Sequence, residues 1–190
     1  PDWPDGWEVS GYWFLDEAEA YAPPEALTRF LAAGEPPVCI GFGSMSAGDA
    51  APLTKLFVDA VAQSGRRAIL LAGWSALGGV ELPETILRLD AVPHDWLYPR
   101  VAAVVTHGGA GTVGASLRAG RPTVVVPHMA DQLYWARRVA ELGVGPPAIE
   151  RPKLRAENLA AAIRAAGDEE MRRRAEELGR RIREEDGVGR

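Results

Sequence analysis

Three glycines within four residues, bracketed by a histidine and a threonine, make His107-Gly108-Gly109-Ala110-Gly111-Thr112 the stretch of this chain best suited to chemistry. Glycine lets the backbone turn tightly and lets a ligand approach the main chain. A helical pattern follows, and a helix start offers unpaired N–H groups at its positive dipole end, a ready site for phosphate. His107 and Thr112 add side-chain donors at the flanks. The glycines alone would equally fit a tight strand-to-helix turn; the two polar flanks favour a diphosphate-binding role for His107, Gly109, Ala110, Gly111 and Thr112. Gly43-Ser44 repeats the theme earlier in the chain, where a hydroxyl and nearby N–H groups suit a second phosphate oxygen. Asp131-Gln132 combines a carboxylate and an amide that can accept from and donate to sugar hydroxyls, although Asp131 is equally placed to cap a helix. Trp74, flanked by Gly73, could wall a pocket for a flat base or pack on a sheet edge.

Other chemistries fit less well. Gly109-Ala110-Gly111-Thr112-Val113-Gly114 matches the dinucleotide fingerprint G-x-G-x-x-G. It follows a late strand, however, and Asp131, at the right distance, lies beyond Pro127 on a new helix start. A nicotinamide-dependent (NAD or NADP) oxidoreductase domain therefore stands as the alternative reading, with a non-catalytic binding module as a third. There is no phosphate loop of the G-x-x-x-x-G-K-[ST] type and no hydrolase elbow G-x-S-x-G. Three dispersed histidines and one cysteine give no metal-ligand spacing.

These residues need elements to position them. Short apolar runs predict strands at Val38–Phe42, Ala68–Ala72, Leu87–Val92, Ala102–Thr106 and Thr123–Val126. Amphipathic stretches between and after them predict helices near Ala51–Gln63, Thr112–Ala119, Gln132–Glu141, Arg155–Ala166 and Glu169–Glu184, with a short turn at Asp95–Tyr98. Continuous apolar strands alternating with helices indicate an α/β, Rossmann-like, doubly wound parallel sheet. In such sheets ligands bind beyond the carboxyl ends of the strands. Each of the three histidines, His94, His107 and His128, falls just past a predicted strand, which points to one polar crevice. Residues 1–36, crowded with Trp3, Trp7, Tyr12, Trp13 and Phe14 and carrying a helical pattern from Glu25 to Ala33, read as a linker or approach segment packed over something, and residues 37–190 as the binding domain.

A net charge of −5 argues against a domain that coats nucleic acid. The arginines of 172–181 interleave with glutamates, which describes a solvated helix face with i,i+4 pairing. No apolar run is long enough for a membrane helix. Cys39, within an apolar run, reads as a buried inert thiol. A cytoplasmic protein is expected.

Gly41-Phe42-Gly43-Ser44-Met45, Val92-Pro93-His94-Asp95-Trp96-Leu97, His107 to Thr112 and Asp131-Gln132 together resemble the C-terminal domain of GT-B glycosyltransferases of the sterol and antibiotic (macrolide and glycopeptide) group. The resemblance runs from about Trp13 to the end of the chain. It implies that Ser44 and the His107–Thr112 turn grip a donor diphosphate, that the backbone around Val92 reads a pyrimidine edge, and that Asp131 and Gln132 hold the donor sugar. It implies inverting transfer from a UDP- or dTDP-sugar to an acceptor hydroxyl, with no cofactor and no essential metal. Plant-type relatives carry a ribose-binding glutamate where this chain has Ala115. The acceptor pocket and catalytic base of the group lie in an N-terminal domain, so no catalytic residue is expected in this chain, and the chain is expected to bind donor without turning it over alone.

Overall fold

The structure, a computed structural model, describes residues 4–42, 50–71 and 80–189. Five parallel strands form one sheet: β1 (Val38–Gly41), β2 (Ala68–Leu71), β3 (Ile86–Leu89), β4 (Ala103–Thr106) and β5 (Thr123–Val125), in the order β3-β2-β1-β4-β5. Val38 of β1 aligns with Ala68 and Ala103, and Gly41 aligns with Leu71 and Thr106. The chain first winds outward through β2 and β3, then returns to the other side of β1. The order therefore reverses between β1 and β4, which is where a doubly wound sheet opens its ligand crevice.

Strand side chains divide the interior by strict alternation. Val38, Ile40, Ala68, Leu70, Ala103, Val105 and Val124 face one layer, packed with α2 (Ala50–Ser64) and α6 (Ala156–Ala165). Cys39, Ile69 and Val104 face the other, with α1 (Glu25–Ala32) and α3 (His94–Leu97). A third cluster joins Val125 to α4 (Ala110–Arg118), α5 (Gln132–Glu141) and α7 (Glu169–Glu184). Cys39 is fully buried, and that burial pushes its thiol up to about 12. No helix among the described residues is long and apolar enough to cross a membrane.

The elements follow the predicted pattern with shifted ends. The third strand stops at Leu89, where its partner β2 stops, and Asp90 and Pro93 separate it from α3. The short helix opens at His94 and continues as a 3-10 turn, Tyr98–Arg100. Helix α4 starts at Ala110 and not at Thr112, because Gly109 takes the extended N-cap conformation (φ −61°, ψ 138°). Glycine is a weak helix former, so Gly111, and Ala110 between two glycines, read as loop although they occupy the first turn.

The N-terminal segment packs on this same domain. Tyr12 lays its ring against Gly114 of α4, where a Cβ would come within 2.6 Å, and donates from its hydroxyl to the Ala110 carbonyl at 3.3 Å. Asp16 pairs with Arg118, whose guanidinium lies 4.6 Å from the Phe14 ring centre. The backbone N–H groups of Glu17 and Ala18 both donate to Asp95 Oδ2 at 2.7 Å. Leu27 of α1 is fully buried. Trp7 and Trp13 remain exposed.

Candidate functional site

The residues after β4 build a turn that glycine alone can make. His107 leaves the strand, and Gly108 adopts φ +94°. A Cβ there would stand 2.7 Å from Val125 Cγ1 and 3.3 Å from the Gln132 carbonyl oxygen. Gly109 meets the His107 ring instead, with Nε2 only 2.7 Å from where its Cβ would be. The imidazole is thus folded back over the turn. Thr106 Oγ1 lies 3.4 Å from His107 Nδ1 and accepts from Gly108 N–H at the same distance. Among the described residues no side chain caps α4 and nothing lies within 4 Å of where a Gly111 Cβ would be, so the first N–H groups of the helix are free to meet a ligand. A helix start of this kind presents partial positive charge to an anion.

Because β1 aligns with β4 through Gly41 and Thr106, this turn stands at the reversal point of the sheet. Gly43, Ser44 and Trp74, predicted to share the site, lie outside the described residues. A cleft of about 940 Å³ adjoins the turn, between Trp13–Glu19, the start of α3 and the outer face of α4. Gly111, Thr112, Ala115 and Arg118 line its floor, and His94 and Asp95 its end. A diphosphate at the start of α4 can place its nucleoside in this cleft. Val92 is buried against the α3 layer, so its side chain is spent on packing and any ligand contact falls to its backbone.

Beyond β5, Ala130 takes the left-handed conformation (φ 51°) in the turn leading to α5. Gln132 holds that turn: its Oε1 accepts from the N–H groups of His128 at 2.7 Å and Met129 at 3.2 Å. Its amide oxygen is therefore committed to the protein, which leaves the NH₂ group as its donor. Asp131 occupies the N-cap position without making a side-chain capping bond. Its exposed carboxylate favours the protonated form of His107, against a burial effect that lowers the His107 pKa.

His128, which the sequence places at the crevice with no assigned role, turns inward. Both ring nitrogens are buried with no hydrogen-bond partner among the described residues, and the ring lies 5.7 Å from Phe42, just past β1. Burial lowers its pKa, and the nearby Arg151 and His107 lower it further. The signal was its place after the fifth strand; what the sequence hid was the turn that points it inward. His94, stacked on Tyr98 at 4.5 Å, is likewise held below the usual range, mainly by burial. Among the described residues, no group of three or more His, Cys, Asp or Glu side chains is placed to hold a metal ion.

The chain as a whole is similar to known proteins. The family model described as "Erythromycin biosynthesis protein CIII-like, C-terminal domain" matches residues 59–186. A sterol 3-beta-glucosyltransferase of Arabidopsis thaliana is 41% identical over 188 residues, covering 98% of this chain and 30% of that protein. The chain thus spans under a third of that relative. The solved glycosyltransferase SnogD from Streptomyces nogalater superposes with a TM-score of 0.68 at 28% identity, over 87% of this chain and 44% of that one. Arabidopsis thaliana UGT89C1, solved in complex with UDP, shares the fold with a TM-score of 0.70 at 20% identity, over 86% of this chain and 43% of that one.

Proposed function

The chain belongs to the family of erythromycin biosynthesis protein CIII-like C-terminal domains, and from that premise we propose that it is the donor-binding half of an inverting glycosyltransferase. It binds a UDP- or dTDP-sugar and serves transfer of the sugar to an acceptor hydroxyl, a sterol or another natural product. The observation that carries this reading is the uncapped start of α4 behind a turn that only glycine can form, with His107 folded over it.

The residues divide the donor between them. The N–H groups of Ala110, Gly111 and Thr112, with His107, take the diphosphate, and Gly43 and Ser44 keep the phosphate-binding roles expected from the sequence. The cleft beside Thr112 and Ala115 takes the nucleoside, for which the Val92 backbone and Trp74 remain the expected contacts. Asp131 accepts from sugar hydroxyls, and the Gln132 NH₂ donates to them. When the glycosyl bond breaks, negative charge grows on the leaving diphosphate, where the helix start and His107 stabilise it; this is electrostatic transition-state stabilisation. No metal and no cofactor is required by this arrangement.

The dehydrogenase alternative finds no support in the family match or in the fold. Gly114, the last glycine of the formal fingerprint, makes room for Tyr12 of the N-terminal segment, whereas in a dinucleotide fold that glycine serves close packing of the helix on a strand. We further propose that the acceptor pocket and the attacking base lie in a separate domain, consistent with the greater length of the relatives. The test is an assay of the 190-residue chain with UDP-glucose. Binding without hydrolysis or transfer is expected, and turnover by this chain would place the base inside it and reject the division of labour.

A further inference from the structure

The opposite edge of the sheet carries a second charged feature. At the amino-terminal ends of β1 and β4, a pocket of about 160 Å³ opens beside Val38 and Ala103. With strands of four residues at about 3.3 Å each, it lies roughly a strand's length from the donor turn. Three arginines line it: Arg66, which follows α2; Arg121, between α4 and β5; and Arg172, in the first turn of α7. Among the described residues none of the three forms an ion pair, whereas ten such pairs occur elsewhere. Glu35 is the one acidic residue of the lining.

Arg121 is the informative member. One of its terminal nitrogens donates to the Pro99 carbonyl at 2.7 Å, while its Nε is buried with no partner among the described residues. Burial disfavours its cation, Glu176 favours it and Arg172 opposes it again. A half-buried guanidinium with no carboxylate paired to it among the described residues leaves a counter-charge for a bound anion to supply. The backbone leaves room for one. Arg66 comes within 3.0 Å of the position a Cβ would take on Gly167, so the bare glycine is what admits its guanidinium to the pocket wall. Planar guanidinium forks converging on a small cavity match the oxygens of a tetrahedral oxyanion.

We propose that the pocket between Arg66, Arg121 and Arg172 is a second anion site, distinct from the donor crevice, that takes a phosphate-type oxyanion such as a phosphomonoester or a phospholipid headgroup. The anion would neutralise the mutual repulsion of Arg121 and Arg172 and tie α2, α4 and α7 to one ligand. Nothing in the proposal depends on which sugar donor the other edge binds.

Inorganic phosphate, titrated by calorimetry into protein already saturated with UDP, tests it. Saturation removes the donor crevice from the measurement. Arg66→Ala and Arg172→Ala spare the half-buried Arg121, and thermal melts confirm that both variants fold. Each is expected to weaken phosphate binding about tenfold, the loss of one charge-assisted partner, with UDP affinity unchanged. Vesicles of phosphatidylcholine with and without phosphatidate distinguish the sources. Arginine-dependent sedimentation with phosphatidate alone identifies a lipid headgroup, and arginine-dependent binding of free phosphate alone identifies a soluble phosphorylated compound. Absence of both, or binding that ignores the two substitutions, overturns the proposal.

Discussion

At the residue scale the two glycines of the turn have different jobs, and substitution separates them. Gly108 combines a left-handed φ with a Val125 methyl 2.7 Å from any Cβ. Gly108→Ala should therefore destabilise the fold by about 1–3 kcal/mol. Gly111 has open space around it and sits in the helix, so Gly111→Ala should leave stability unchanged or raise it by up to about 1 kcal/mol. Urea denaturation of the two variants checks this, and equal losses would show that the turn is not the strained element described. The histidines give a second prediction. His94, His107 and His128 all have pKa values below the usual 6.5, with burial as the first cause. The unfolded chain then binds more protons than the folded one, so the stability they contribute is present above pH 6.5 and is lost as pH falls below it. The urea midpoint should drop between about pH 7.5 and about pH 5.5, less steeply in His128→Phe; a flat profile in the parent protein would contradict the burial. The place of His107 at the glycine turn was legible from its neighbours in sequence. The burial of the His128 ring nitrogens was not, because the turn at Ala130 and its clamp by Gln132 are tertiary facts.

At the element scale the site depends on where α4 is held. Helix α7 crosses it closely at Gly179, where a Cβ would fall 2.7 Å from the Leu117 carbonyl and 2.8 Å from Gly120 Cα. Gly179→Ala must push the helices apart and should cost about 1–3 kcal/mol. Because α4 carries the anion-binding start, its UDP affinity should fall as well. A stability loss with unchanged affinity would mean that the helix start is positioned by β4 alone. The Arg/Glu alternation of α7 proved to be what its spacing suggested: Glu170 pairs with Arg173 and Arg174, Arg180 with Glu184, and Arg181 with Glu177. The close crossing on its other face rests on a glycine that no periodicity distinguishes. The start of α4 was misplaced by two residues for a similar reason, since Gly109 reads the same as loop or as cap until its dihedral angles are known.

At the scale of the whole molecule the sheet was the most legible part. Continuous apolar strands separated by amphipathic runs allow few arrangements, and burial on both faces follows from their alternation. The packing of the N-terminal aromatics was less legible, since Tyr12 and Phe14 lie against α4 of the domain that follows while Trp7 and Trp13 stay exposed. The central claim is that the reversal of strand order at β1 and β4 presents one anion-binding helix start to a nucleotide diphosphate. Calorimetric titration with UDP, dTDP and NAD, on the parent chain and on His107→Ala, tests this most directly. Binding of UDP or dTDP is predicted, weakened by about 1–3 kcal/mol in His107→Ala, with NAD failing to compete. Tight NAD binding with no response to UDP or dTDP, or a His107→Ala variant of unchanged affinity, would contradict it.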